Sequence, residues 1–423
     1  MDKVSIIHGW SDDNKGDSAI MIGMIDYLNK VYKVNSISII SYYKNCESAS
    51  YDLIKHMKEN EIGFTGIYPR IDCDSNSKYK LVRIIVYIYD LLRKLLILLS
   101  PSIFKFLLSE NELKSLNEIK SSSYVVSKGG HIFNSHSLSE NLVLFNLAFY
   151  VFLSKRLKKK VYIFSQSYGP FNNIIAKKIF LMVIKCSESL QCREYKSIED
   201  LKEEYPKYCE KFIYFPDFAF NIPISETSNS KHAVEKYGLE NAVGITVRQH
   251  SFKKNTEEEY LKTMVKIIES LANRGEKVVI IPHVIGPNNK EDDRIISSKL
   301  YNIIAKDNKH LIKSVTLMDN TLNAKELAYC YSKLKLMIGT RFHSVILSLL
   351  GTTPSFAISY NGPKAYIMDT FKMKDFMESI ENINEHNLTD ILQKINYILD
   401  NRLELQNKIV KALETNNQYF KNK

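Results

Sequence analysis

Apolar residues along this chain gather in short runs, each followed by a polar loop and then by a segment of helical periodicity. In the first half the runs predict strands at residues 4–8, 37–41, 124–127, 161–165, 190–192 and 212–215, with helices at 18–30, 141–155, 173–185 and 197–204. Residues 221–231 are polar and aperiodic and read as a linker. A second set then predicts strands at 243–247, 277–282, 315–317, 334–338 and 355–359, with helices at 257–272, 292–304, 324–332 and 344–350. Strands alternating with helices need crossover connections, so each half is expected to form a parallel, doubly wound sheet. The expected architecture is therefore α/β: two Rossmann-like domains, 1–225 and 232–387, facing each other across a cleft, with a helical tail over 388–423. Loops after strands point into such a cleft, and chemistry is sought there.

Residues 78–108 break this rhythm. They are rich in Ile, Leu, Tyr and Phe but are interrupted by Arg83, Asp90, Arg93, Lys94, Pro101 and Lys105, so the uncharged run falls short of the roughly 20 residues a membrane-spanning helix requires. Two readings remain: a helix packed between domains, or a basic amphipathic insertion lying on the anionic inner face of a membrane.

A length of 423 residues suits two domains of roughly 200 residues each. The net charge of +11 and pI of about 9.0 call for an anionic partner: nucleic acid, a membrane surface or a phosphorylated small molecule. No aromatic-interleaved basic strip accompanies the charge, which argues against nucleic acid. The run Lys155-Arg156-Leu157-Lys158-Lys159-Lys160 ends a predicted helix and is expected to offset its dipole. Six cysteines, at 46, 73, 186, 192, 209 and 330, show no CxxC pair and no metal-ligand rhythm, so reduced thiols in a cytoplasm and no metal site are expected. The N-terminus enters a strand without the basic, apolar and small-residue succession of a signal peptide.

The most informative segment is the apolar strand that reaches Gly339 and runs into Thr340-Arg341-Phe342-His343 at the mouth of a helix. Thr340 is expected to cap that helix, leaving first-turn N–H groups, Arg341 and His343 around one point, which makes an anion site. Arg248, at the end of strand 243–247, is a phosphate or carboxylate clamp by position, and Lys364 follows strand 355–359 in the same way. Four such groups suit a small, multiply charged anion such as a phosphorylated carboxylate. His283 adds an acid or base, while Asp292-Asp293 reads as a helix start whose acids offset the dipole. In the first half, Asn14, Gly16 and Asp17 stand at a helix mouth without a GxGxxG or Walker ending; Asp17 either caps the helix or contacts a polyol acceptor. Gly129 and Gly130 allow close approach of a ligand to the backbone, with His131 read as a locally bonded loop histidine. Gln166 suits sugar hydrogen bonding, Arg193 either pairs with Glu194 or meets the ligand, and Asp217 caps a turn or touches substrate.

These loops in this order resemble the polysaccharide pyruvyl transferase family: Asn14-Lys15-Gly16-Asp17-Ser18-Ala19-Ile20, Lys128-Gly129-Gly130, Ser165-Gln166-Ser167-Tyr168-Gly169-Pro170-Phe171, Cys192-Arg193-Glu194 with Ser197, Pro216-Asp217, Gly244-Ile245-Thr246-Val247-Arg248, Pro282-His283, Gly339-Thr340-Arg341-Phe342-His343-Ser344 and Asn361-Gly362-Pro363-Lys364. The resemblance implies a fold like the two-domain GT-B glycosyltransferases and transfer of pyruvate from phosphoenolpyruvate, as co-substrate and without a cofactor, onto a sugar or lipid-linked oligosaccharide as a ketal. It assigns donor binding to Arg341 and His343, as an Arg-x-His motif, and to Arg248. Lys128 departs from the family where many members carry a third glycine. The chemistry needs an acid for the methylene carbon, for which His343 is the candidate, and a base for the sugar hydroxyl, for which Asp17 and His283 both stand. A nucleotide-sugar glycosyltransferase of the same fold is the alternative, and a non-catalytic membrane- or glycan-binding component a third reading.

Overall fold

Strands with apolar side chains on both faces must be covered on both faces, and the chain answers with two all-parallel sheets. The computed structural model describes residues 3–34, 36–41, 61–66, 80–286, 289, 291–319, 321–360 and 367–421. The first sheet contains β1 (Lys3–Gly9), β2 (Ser36–Ser41), β3 (Glu61–Gly66), β4 (Tyr124–Ser127), β5 (Lys160–Gln166), β6 (Ser189–Cys192) and β7 (Phe212–Tyr214), in the order β3-β2-β1-β4-β5-β6-β7. The second contains β8 (Val243–Thr246), β9 (Val278–Ile280), β10 (Val315–Leu317), β11 (Leu336–Gly339), β12 (Ser355–Ser359) and β13 (Met377–Ser379), in the order β10-β9-β8-β11-β12-β13. Strand order reverses between β1 and β4 and between β8 and β11, and the crevice beyond such a reversal is where open α/β sheets bind ligands.

Helices α1 (Lys15–Tyr32), α2 (Lys80–Leu99), α3 (Glu110–Ser121), α4 (Glu140–Arg156), α5 (Ile174–Cys186) and α6 (Tyr195–Glu204) accompany the first sheet in sequence. Then come α7 (Ser228–Tyr237), α8 (Glu257–Asn273), α9 (Asp293–Asp307), α10 (Ala324–Ser332), α11 (Phe342–Leu350), α12 (Ile367–Thr370), α13 (Leu388–Asp400) and α14 (Arg402–Tyr419). By backbone contacts the chain forms two compact units, one of residues 1–10 and 28–215, the other of 11–27 and 216–423. The start of α1 thus belongs with the second sheet. Gly23 makes that possible: a Cβ there would stand 1.9 Å from the Phe218 carbonyl oxygen. Asn221 Nδ2 donates to Gly23 O at 2.9 Å, and the rings of Tyr27, Phe218 and Phe420 meet edge to face or tilted.

Some elements differ from the pattern-based expectation. The linker over 221–231 is a helix start in its second half, because Thr227 and Ser230 form a reciprocal capping box that begins α7. Helix α3 begins the same way at Ser109 and Glu112, inside a stretch too polar to show periodicity. Strand β13 has three residues, too few to alternate, and β3 carries two glycines. The tail forms two helices, both within the second unit.

In the first unit, α2 stops two residues before Pro101. Its inner face packs on α4: Ile97 is buried, and Lys94 Nζ donates to Asn146 Oδ1 at 2.6 Å and pairs with Asp90. Arg93 donates to both oxygens of Glu112 at 2.7 Å. Among the described residues no helix is long and apolar enough to cross a membrane.

Candidate active site

Strand β8 ends at Thr246 and β11 at Gly339, paired partners at the reversal of the second sheet. The residues that follow them, Arg248 and Arg341, therefore emerge at the same edge. Thr340, expected to cap α11, does something else: its hydroxyl donates to Thr246 O at 2.7 Å. Thr246 on the neighbouring strand fixes the approach to the helix, its Oγ1 accepting from Thr340 N at 2.9 Å and Arg341 N at 3.4 Å, while among the described residues the helix itself has no side-chain cap. Arg341 occupies the N-cap position itself.

Arg341 is held by a carboxylate. Its Nε donates to both oxygens of Asp293, at 3.1 and 3.0 Å, and an amino group donates to Glu291 O at 3.2 Å. Asp293 is buried at the start of α9 and also accepts from Val284 N at 3.0 Å. Burial raises its pKa, opposed by Arg341. Asp292 is the N-cap of α9, its oxygen accepting from Arg294 N at 2.9 Å, as an acidic helix start predicts.

Arg248 has a different environment. Its guanidinium carbon lies over the Tyr360 ring, 3.6 Å from the centroid, and its Nε donates to Gln249 O. No carboxylate among the described residues pairs with it. Burial lowers its proton affinity, and the Arg341 cation lowers it further. An anion placed between the two guanidinium groups relieves that repulsion and replaces lost solvation. Gly339, Thr340, Phe342, Ala357 and Tyr360 line a small concavity beside them.

His343 sits in the first turn of α11 with its Nε2 3.7 Å from Asp217 Oδ2, within ion-pair range but beyond a hydrogen bond. Asp217 is inaccessible, and its other oxygen caps the next turn through Ala219 N at 2.9 Å. The opposite side of the imidazole lies against Gly16, where a Cβ would be 2.3 Å from Nδ1. The loop carrying Gly16 is fixed to the second unit by the Asn14 to Val284 bridge and by Ile285 N donating to Asp13 O at 2.9 Å. Asn14 is the cap of α1, its Oδ1 accepting from Gly16 N at 3.2 Å and Asp17 N at 3.4 Å. Asp17 is therefore not the cap; it lies half-buried in the first turn, one residue after Gly16. Lys15, not singled out by sequence, is buried here, and burial lowers its pKa.

His283 lies inside the same unit, fully buried and stacked on Tyr331, whose hydroxyl is 3.1 Å from Nδ1. Its Nε2 has no hydrogen-bond partner among the described residues. Burial, then the charges of His343, Arg341 and Lys15, hold its pKa well below the usual value, so it is a neutral, weakly basic group. Lys364 lies outside the described residues.

The first-unit candidates form their own polar cluster. Gly130 extends the sheet beside Gln166, with Gly130 N donating to Ser165 O and Ser167 N to Gly130 O, so Gly129-Gly130 is a strand continuation. Gln166, expected to offer its amide to a sugar, is fully buried; its Nε2 donates to Lys128 O at 2.8 Å and Ser127 Oγ at 3.1 Å. Arg193 is likewise buried, its Nε donating to Ser167 Oγ at 2.7 Å and Glu194 Oε1 at 3.1 Å. Both side chains shape the loops and offer no surface to a ligand in this conformation. His131 Nε2 meets Gly169 O at 2.6 Å, a local bond. His8, absent from the sequence reading, joins the cluster through Ser127 Oγ at 2.8 Å and Leu147 O at 2.7 Å, and burial pushes its pKa down to about 4.

Asp217 and Asp293 as partners of His343 and Arg341, and Thr246 as the acceptor that joins the two strand ends, are what residue-by-residue reading missed. Their signal was present in part: each acid stands directly before or within a turn or helix start, where a capping role hides any other. Among the described residues no three His, Cys, Asp or Glu side chains group as a metal site.

The family profile described as polysaccharide pyruvyl transferase matches residues 14–362. The amylovoran biosynthesis protein AmsJ of Erwinia amylovora is 26% identical over 430 residues, covering 97% of this chain and 95% of its own. Among solved structures, Anabaena HepE in complex with UDP-glucose aligns with a TM-score of 0.55 at 9% identity, over 99% of this chain and 96% of that one. The UDP-GlcNAc 2-epimerase of Methanocaldococcus jannaschii aligns with a TM-score of 0.56 at 11% identity, over 94% and 92%. At such identities the likeness shows the fold alone, and that fold is of the GT-B type.

Proposed function

The chain belongs to the polysaccharide pyruvyl transferase family, and we propose that it transfers the pyruvyl group of phosphoenolpyruvate to two hydroxyls of a sugar in a cell-surface polysaccharide or its lipid- or nucleotide-linked precursor. The products are a pyruvate ketal and inorganic phosphate. The observation that carries this reading is Arg248: a partly buried cation with no carboxylate partner among the described residues, at the same sheet edge as Arg341 and His343. Two arginines and a histidine in one place suit a ligand bearing both phosphate and carboxylate.

In the reaction the methylene carbon of phosphoenolpyruvate takes a proton, and the adjacent carbon, now electron-poor, bonds to a sugar hydroxyl that gives its proton to a base. The bond from that carbon to the phosphate oxygen then breaks, phosphate leaves, and the second hydroxyl closes the ketal as its proton passes to the departing phosphate. His343 is the acid in this scheme, placed between Gly16 on one side and the buried Asp217 carboxylate on the other. Asp17 is the base, because His283 is fully buried and of depressed basicity. Arg248 and Arg341 hold the donor's anionic groups, and Asp293 fixes the plane of the Arg341 guanidinium. No resident cofactor enters the scheme.

The test is incubation of the full chain with phosphoenolpyruvate and a panel of lipid- and nucleotide-linked sugars, reading phosphate release and acceptor mass together. Phosphate release matched by a gain of one pyruvate less water on an acceptor supports the proposal. Release of nucleotide from a sugar nucleotide, with phosphoenolpyruvate left intact, replaces it with glycosyl transfer.

A further inference from the structure

Among the described residues, helix α2 has a face that nothing in the first unit covers. Ile85, Ile88, Tyr89, Leu92, Leu95, Leu96 and Leu99 recur at helical spacing and are all exposed, Leu99 at 65%. Beyond Pro101 the stripe continues into Ile103, at 66%, and Phe106, at 73%. A row of this size on a solvated surface marks an interaction site rather than scattered surface residues.

Charge then selects the partner. Arg93 and Lys94, which sequence alone adds to a basic helix, point inward and are spent on Asp90 and Glu112. Among the described side chains, the cations that remain lie at the end of the stripe. Lys105 is exposed between Ile103 and Phe106. Arg156 donates from Nε to Leu98 O at 3.1 Å and from an amino group to Leu99 O at 2.6 Å, which fixes the basic run at the C-terminal end of α2. Within that run Lys158 and Lys160 are exposed, whereas Lys155 pairs with Glu188 and Lys159 donates to Ser122 O. The nearby exposed acid Glu110 pairs with Lys114. An apolar stripe ending in unspent lysines fits a surface that is oily below and anionic above. A second copy of the chain fits it less well, because an isologous contact gathers two such basic rims into one interface.

We propose that this face, from Ile85 of α2 to Phe106, docks on an anionic lipid bilayer, with the apolar side chains entering the headgroup boundary and Lys105, Lys158 and Lys160 meeting lipid phosphates. The attachment is separate from the transfer chemistry and is measured without turnover. It puts the chain on the surface where a lipid-carried acceptor resides.

Flotation of the full chain with vesicles of phosphatidylcholine, alone or mixed with phosphatidylglycerol, is the experiment. The chain floats with the anionic vesicles, and added salt releases part of it. Lys158→Gln and Lys160→Gln each weaken binding about fivefold, since each basic residue near such a surface contributes about that factor. The double variant Leu92→Asp with Phe106→Asp stays in solution while keeping the wild-type melting temperature, as expected for exposed positions. The proposal is overturned if the wild type fails to float with anionic vesicles, or if the double variant floats as well as the wild type. It is also overturned if the wild type is a dimer that Leu92→Asp splits and that ignores vesicles.

Discussion

Gly16 matters because of what it lacks. A methyl group there would overlap His343 at 2.3 Å from Nδ1, so the imidazole must move for any larger residue to fit. Alanine favours a helix over glycine, and Gly16 is in the first turn of α1, so Gly16→Ala is expected to keep the fold while lowering phosphate release on the order of 100-fold. Steady-state kinetics beside a thermal melt separates the two effects. His8 gives a test of stability instead. Its folded pKa is about 4 against an ordinary 6.5, so between these values the unfolded chain binds the extra proton. Its contribution is therefore fully present above pH 6.5 and is lost as pH falls towards 4, by about 3 kcal/mol. His8 has φ +68°, which asparagine tolerates, so His8→Asn should show a flatter fall in urea midpoint across that pH range than the wild type. Arg248, Arg341 and His343 were legible because charged residues directly after apolar strands are conspicuous. The burial of Lys15 and the pairing of Asp217 with His343 and of Asp293 with Arg341 were not, because tertiary contacts leave at most a capping signal in the local sequence. For Arg193 the pairing with Glu194, one of its two readings, is the one seen, whereas Gln166 was expected to face a sugar and is instead fully buried, its amide nitrogen turned to Lys128 O and Ser127 Oγ.

The strand-to-helix junction at β11 and α11 shows what elements add. Sequence suggests that Thr340 caps α11, yet its hydroxyl donates to Thr246 O and its N–H to Thr246 Oγ1, on the strand β8 that pairs in parallel with β11. This cross-strand bonding ties the position of Arg341 to that of Arg248, because one hydroxyl spans both strand ends. Thr246→Val keeps the shape but strands two N–H groups, and urea denaturation is expected to show a loss of about 1 to 2 kcal/mol. Most strands and helices were legible to within a few residues, since apolar runs and helical periods last long enough to be read. The exceptions have physical causes: α3 and α7 announce themselves by capping boxes rather than by an apolar stripe, and β13 is too short to carry a period.

At the scale of the whole molecule, the two sheets were expected from alternation, but the assignment of residues 11–27 to the second unit was not. Periodicity describes a helix and is silent on which core it joins; the Gly23 to Phe218 approach and the rings of Tyr27 and Phe420 decide it. A fragment of residues 216–423 alone accordingly leaves Phe218 and Phe420 uncovered and is expected to unfold without a cooperative transition, as near-ultraviolet circular dichroism against urea would register. The site within that unit is central to the functional account, which holds that the carbon–oxygen bond of phosphoenolpyruvate is the one that breaks. Phosphoenolpyruvate carrying a heavy-oxygen label at the bridging position tests this most directly. The account predicts that the label leaves in inorganic phosphate while the pyruvyl carbons appear on the sugar, and that Arg248→Ala and Arg341→Ala lose both signals. Label retained on pyruvate, or no turnover of phosphoenolpyruvate with any sugar acceptor, would contradict it.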